Sequence, residues 1–172
     1  MVKRAIVVFP DLTNIEIIKG IRNRYDPLST FINPHITLVF PFDSELSNDE
    51  VESHIKKAVT DIAPFELVLK GITVNVEPLE NYIFLNIPKG IQEVYELSKV
   101  LYTGILKKYQ SERYEERYIP HMTIGRLDKV EDHEKVLVDI GYGETAFTAF
   151  VDRVSVEIIG TGKSSTEAAI KL

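Results

Sequence analysis

The chain has 172 residues, 44% of them hydrophobic, enough for one domain with a sizeable core or for two small lobes sharing an interface. It has no cysteine, which excludes disulfides and thiolate metal sites. Its net charge of −6 argues against sequence-independent binding of long DNA or RNA, which needs many lysine or arginine contacts to phosphate.

The basic start Met1-Val2-Lys3-Arg4 is followed by a continuous apolar run over residues 5–9, rich in β-branched side chains. That run predicts a buried strand. It is too short for a signal-peptide core, and Pro10-Asp11 ends it. No later stretch approaches the length of a membrane span, so a soluble cytoplasmic protein is expected. Leu12, Ile15, Ile18 and Ile21 recur at helical spacing and predict a helix to about Arg24. Asp26-Pro27 opens a loop, and Pro34 leads into a strand, where proline is tolerated at the first residue. Ser47-Asn48-Asp49-Glu50 is a capping-box pattern, opening a helix with Val51, Ile55, Ala58 and Ile62 on its apolar face. Residues 65–76 read as one strand and 82–87 as another. After Pro88 a helix presents Ile91, Val94, Tyr95, Leu101, Tyr102 and Ile105 on one face. The charged segment 111–118 reads as a loop, and Pro120 opens a further strand. A short helix near 132–140 stops at Gly141. Strands follow near 145–151 and 153–159, with a last short one ending at Leu172.

This order hides a duplication. Strand, proline, helix, loop and a Pro-His strand occur twice. The two Pro-His strands read Pro34-His35-Ile36-Thr37-Leu38 and Pro120-His121-Met122-Thr123-Ile124, both Pro-His-apolar-Thr-apolar, with the histidines 86 residues apart. The expected fold is therefore α+β and bilobed: a pseudo-symmetric pair of strand-helix-strand units within a single domain spanning 1–172, with antiparallel-rich sheets lining a central cleft. The two His-Thr strands are expected to face each other across that cleft.

The repeated pattern carries chemistry. In a strand, residues i and i+2 share a face, so each segment presents one imidazole beside one hydroxyl and turns its apolar residues inward. Phosphodiester hydrolysis needs one group to take a proton from the attacking water and another to give one to the leaving oxygen. His35 and His121 suit those tasks near neutral pH. Thr37 and Thr123 can donate to non-bridging phosphate oxygens as preorganised dipoles, stiff at χ1. The scheme requires no metal and no cofactor.

The paired His-x-Thr-x motifs, half a chain apart in a duplicated frame, resemble the two-histidine (2H) phosphoesterase superfamily, which includes the 2′-5′ RNA ligases and cyclic nucleotide phosphodiesterases. Arg24-Tyr25-Asp26-Pro27 and Leu101-Tyr102-Thr103-Gly104 look like a bacterial branch of it. The resemblance implies a bilobed α+β fold with both motifs in a central cleft. It implies His35 and His121 as the acid-base pair and Thr37 and Thr123 as phosphate-binding donors. The activity it implies is metal-independent hydrolysis or ring-opening of a 2′,3′-cyclic or related phosphodiester, on a small nucleotide or an RNA end. Two alternatives stay open: 2′-5′ RNA end ligation at the same site, and a non-catalytic nucleotide or RNA-end binding module.

Other candidates are weaker. His54 and His133 read as solvated helix residues, the latter among Glu131, Asp132 and Glu134. Gly160-Thr161-Gly162-Lys163-Ser164 reads as a hairpin turn and not a phosphate loop, because the glycine required earlier is Glu157. Glu112-Arg113-Tyr114 and Glu116-Arg117-Tyr118 read as a solvated loop. The competing reading is a flap carrying Arg117 or Tyr118 over the cleft. Phe40 and Phe42 could stack on a base, with core packing expected for at least one.

Overall fold

The computed structural model describes residues 1–76, 81–112, 114, 118–127, 133–160 and 162–172. Strand β1 (Val2–Val8) is buried on both faces from Ala5 onward, as its unbroken apolar run requires. Helix α1 (Ile15–Tyr25) follows and buries Ile18 and Ile21. It opens at Asn14, held in the left-handed region at φ 55°, so Leu12 lies before the helix and not on it. Strand β2 (Ile36–Ser44) carries the first motif. Helix α2 (Asn48–Ala58) starts on the expected capping box, with Ser47 and Glu50 exchanging both bonds, an arrangement worth about 1 kcal/mol.

Residues 65–76 form two strands, not one: β3 (Phe65–Leu69) and β4 (Ile72–Val76). Gly71 breaks the run at φ 80°, and its N–H bonds the carbonyl of Gly143. Strand β5 (Asn81–Leu85) and helix α3 (Ile91–Leu101) come next. The helix ends earlier than its apolar pattern suggests: Gly104 at φ 47° diverts the chain into a 3-10 turn over Gly104–Tyr109. Strand β6 (Met122–Leu127) carries the second motif. Helix α4 (His133–Asp139), then β7 (Phe147–Val151), β8 (Arg153–Ile158) and β9 (Ser165–Lys171) complete the described elements. The β8–β9 pairing reaches Ile158 opposite Ser165, making the glycine-rich segment between them a hairpin connection; Thr161 lies outside the described residues.

The fold is α+β and antiparallel. One seven-stranded sheet runs β4-β5-β6-β2-β1-β8-β9, and β3 pairs with β7 in a separate ribbon. The duplicated frame is visible as β1-α1-β2 and β5-α3-β6. Helix packing crosses between the halves, α1 lying on β6 and α3 on β2. The two His-Thr strands are lateral neighbours in one sheet and do not face each other across a gap.

The β1–β2 register slips twice, at Leu38 and around Phe40-Pro41. The slips leave backbone groups out of the ladder, and side chains take them. Ser98 Oγ donates to the Leu38 carbonyl, and the Phe40 N–H donates to Tyr102 Oη at 3.0 Å. Helix α3 is therefore fixed to the strand bearing the first motif. Its entry depends on Gly90, at φ 89°, where a Cβ would meet the Glu66 carbonyl oxygen at 2.7 Å. Gly90→Ala should destabilise by more than the roughly 1–2 kcal/mol of the left-handed penalty alone. Gly141→Ala, at φ 63° with open space around it, should cost only that penalty. Urea midpoints at unchanged slope check the difference.

Candidate active site

The two halves of the sheet meet at a single pair, Ile36 opposite Met122. Both side chains are fully buried. The antiparallel register extended by one residue each way sets Thr37 opposite His121 and His35 opposite Thr123. All four lie on the face away from Ile36 and Met122, and all four are half-buried. The same register sets Pro34 opposite Ile124 and Pro120 opposite Leu38, and neither proline has an N–H to lengthen the ladder. Each histidine stands one residue ahead of its strand.

Both imidazoles are oriented by their own backbone. His35 Nδ1 bonds the Asn33 carbonyl at 2.8 Å, and His121 Nδ1 bonds the Ile119 carbonyl at 2.6 Å. A carbonyl only accepts, so Nδ1 carries the proton and Nε2 is left for chemistry. The surroundings differ between the halves. His121 stacks on Phe84 at 3.6 Å between ring centroids, and Tyr82 stacks behind Phe84 at 6.0 Å. Phe84 is the β5 residue paired with Thr123. His35 meets Phe9 only edge-on, at 6.1 Å. Burial pushes the His35 pKa below its ordinary value. The Asn33 carbonyl opposes this, Arg22 adds to it, Asp26 opposes it, and the proximity of His121 lowers it further. Burial also lowers His121, against its bond to Ile119.

A family model described as the 2′-5′ RNA ligase superfamily matches residues 9–162. The chain belongs to that superfamily. Relatives named "Putative phosphoesterase" include one from Bacillus licheniformis, 27% identical over 154 residues, covering 88% of this chain and 86% of the relative. Another, from Bacillus anthracis, is 30% identical over 154 residues, covering 88% and 85%. Among solved structures, E. coli LigT complexed with 3′-AMP aligns at TM-score 0.65 and 17% identity, over 99% of this chain and 98% of that one. Kluyveromyces marxianus Usb1 aligns at TM-score 0.55 and 11% identity, over 99% and 98%. At these identities the two structures show a shared fold.

Within this superfamily member the remaining sequence candidates fall into place. His54 is not a free solvated residue: its Nε2–H donates to the Leu101 carbonyl at 3.1 Å, capping the end of α3. Leu101-Tyr102-Thr103-Gly104 is thus a structural segment, receiving His54 and the Phe40 N–H and then turning through Gly104. In Arg24-Tyr25-Asp26-Pro27, Asp26 pairs with Arg22 at 2.7 Å, and Tyr25 packs where a Cβ on Gly125 would lie, 3.1 Å away. Phe42 is buried against Tyr109, whereas Phe40 is half exposed and meets Tyr118 edge-on at 6.1 Å. Arg113, Glu116, Arg117, Glu131 and Asp132, and the side chain of His133, lie outside the described residues. A hollow of about 520 Å³, lined by Arg24, Tyr25, Arg126 and Lys135 among others, contains none of the four motif residues. Phe84 and Phe9 were missed at the level of sequence. The available signal was their place on strands flanking the motif strands, which pattern alone does not pair.

Both imidazoles should titrate below about 6.5 in the ligand-free protein, as followed by NMR of their Hε1 resonances. The sign for stability follows from linkage. The unfolded chain binds more protons than the folded one in the window below about 6.5, so the contribution of the neutral rings is complete above that value. It is lost as the pH falls from there through the folded values, and thermal melts across that window should show the decline.

Proposed function

We propose that this protein hydrolyses or ring-opens a 2′,3′-cyclic or related phosphodiester, on a nucleotide or an RNA end, with His35 and His121 as the acid-base pair and Thr37 and Thr123 as phosphate donors. The observation that carries the reading is the Ile36–Met122 register, which sets one imidazole opposite one hydroxyl on each side of a two-fold. A phosphate over the bridge would meet a hydroxyl and an Nε2 from each half. Water attacks phosphorus, and one Nε2 takes its proton as the new P–O bond forms. The opposite ring, protonated on both nitrogens, gives a proton to the ribose oxygen as the old P–O bond breaks. The products are a phosphomonoester and a free hydroxyl, and the two rings exchange protonation states. The pseudo-symmetry lets the substrate's orientation choose which ring is base and which acid. The solved relatives support the substrate class, since LigT is complexed with 3′-AMP and Usb1 with uridine monophosphate, both nucleoside monophosphates.

Turnover of a 2′,3′-cyclic mononucleotide is the first test. His35→Ala and His121→Ala should each lower kcat by roughly 10²- to 10⁴-fold. The double variant should be little worse, because members of one proton relay are not additive. Thr37→Val and Thr123→Val keep the branched shape and remove the donor, costing up to about 10²- to 10³-fold. Normal turnover without both histidines sinks the assignment.

The pH profile of kcat/KM should be bell-shaped, since one ring must be neutral and the other protonated. Burial disfavours the charged ring in both cases. The basic limb should therefore fall below about 6.5, and activity should decline toward neutral pH. EDTA should leave turnover intact. Loss restored by zinc or manganese would show that the histidines act as ligands instead.

A further inference from the structure

The two halves share one bridging pair, yet the chemistry needs Thr37 and His121 held at a fixed separation. Tyr118 supplies a second tie. Three residues before His121, its hydroxyl donates to the backbone carbonyl of Thr37 at 2.7 Å. The ring is half-buried and wedged among aromatics, stacked on Tyr114 at 4.9 Å and on Tyr95 at 6.3 Å, with Phe40 edge-on at 6.1 Å. Tyr114 is anchored in turn. Ser98 spends its one proton on the Leu38 carbonyl, so the Tyr114 hydroxyl donates to Ser98 Oγ. Ser98 belongs to α3, so that bond holds Tyr114 to the helix, and the direct tie to the strand of the first motif is the Tyr118 hydroxyl on the Thr37 carbonyl.

The first half is held differently. The position 86 residues before Tyr118 is Ile32, whose carbonyl accepts from Arg22 Nη1 at 2.9 Å. Arg22 also pairs with Asp26 at 2.7 Å, and both are buried. The approach to His35 is thus anchored to α1, which precedes it in the chain, whereas the approach to His121 is anchored to the partner motif. Only the second arrangement sets the distance between the motifs.

We propose that Tyr118 is a positioning residue for the acid-base pair: its hydroxyl clamps the segment entering His121 to the strand carrying Thr37 and so fixes the separation of the two imidazoles. The proposal rests on the reading of the four motif residues as a reaction centre. Tyr118 acts through the Thr37 backbone and not on substrate. Burial pushes its phenol up, so it remains a neutral donor wherever the histidines work.

Tyr118→Phe keeps the stacked ring and deletes only the donor. Tyr114→Phe is the matched control, removing a buried hydroxyl of the same cluster that bonds Ser98 on α3. Amide hydrogen exchange over residues 36–38 and 121–124 should be about 5- to 10-fold faster in Tyr118→Phe than in the wild type or the control, as loss of one tie predicts. On a 2′,3′-cyclic nucleotide, kcat should fall roughly 10- to 100-fold, the scale of a misplacement near 1 Å. KM should stay within about 2-fold and both pH limbs should stay in place, because neither uniform binding nor the ionisation of the histidines changes. Unchanged exchange overturns the proposal, as does an equal fall in kcat in Tyr114→Phe. If the wild type turns over no cyclic nucleotide, the catalytic reading fails by itself, and the exchange comparison still decides whether Tyr118 is the clamp.

Discussion

Everything at the candidate site depends on one short contact, the pairing of Ile36 with Met122 between two half-sheets. A longer ladder would make β2 and β6 ordinary central strands, with their polar face to be covered like any other. Here Pro34 and Pro120 bring no N–H to the positions on either side, so the halves touch at a point. At that point the period of two does the rest. The apolar residues Ile36, Leu38, Met122 and Ile124 go into the core, essentially without exposure. The polar residues between them meet on the other face. The proline that opens each motif thus acts twice, restricting the residue before it and ending the ladder beside it.

A joint made of one pair leaves backbone groups to be satisfied elsewhere, and their partners explain segments that carry no chemistry. The slips in the β1–β2 register free the Leu38 carbonyl and the Phe40 N–H, and α3 answers both through Ser98 and Tyr102. His54 from α2 closes the far end of that helix at Leu101. The Leu101-Tyr102-Thr103-Gly104 segment therefore acts on the site at a distance, by fixing the helix that fixes the strand. Arg22 and Asp26 do the equivalent for the loop before His35, where a buried ion pair is also satisfied by the Ile32 carbonyl and the Leu28 N–H.

Much of this was legible in the residues. The Pro-His-x-Thr repeat, its place in a duplicated strand-helix-strand frame and the Ser47 capping box are local patterns, and local patterns survive folding. What was not legible depended on partners distant in the chain. Residues 65–76 read as one strand because both sides of Gly71 are apolar. The break comes from Gly71 bonding the Gly143 carbonyl and turning through a positive φ. The apolar stripe of α3 continues in sequence to Ile105, but Gly104 leaves the helical region, and Ile105 ends up partly exposed. Arg4 belongs to the basic start Met1-Val2-Lys3-Arg4, and nothing there marks it for burial. It is 1% exposed: Glu167 of β9 pairs with it at 2.6 Å, and Ser44 and Asn48 accept from its Nη1 and Nη2. No property of residues 1–4 announces a carboxylate more than 160 positions away.

The same reasoning explains why two nearly identical motifs do not make two identical halves. Symmetry of the motif strands is imposed by the register, which treats both sides alike. Their support is not so constrained, and the two halves solve it with different physics. Around His35 the support is charged: a buried guanidinium and carboxylate whose opposing fields both reach the ring. Around His121 it is neutral and aromatic: Phe84 face-on, Tyr82 behind it, and the Tyr118 hydroxyl reaching across to Thr37. A face-on phenyl ring stabilises an imidazolium through its quadrupole, whereas an edge-on one such as Phe9 does not. The two rings thus sit in different surroundings even though their backbones are equivalent. The shared element is the register alone, which brings one imidazole and one hydroxyl from each half to the same face and leaves each half to support its own ring differently.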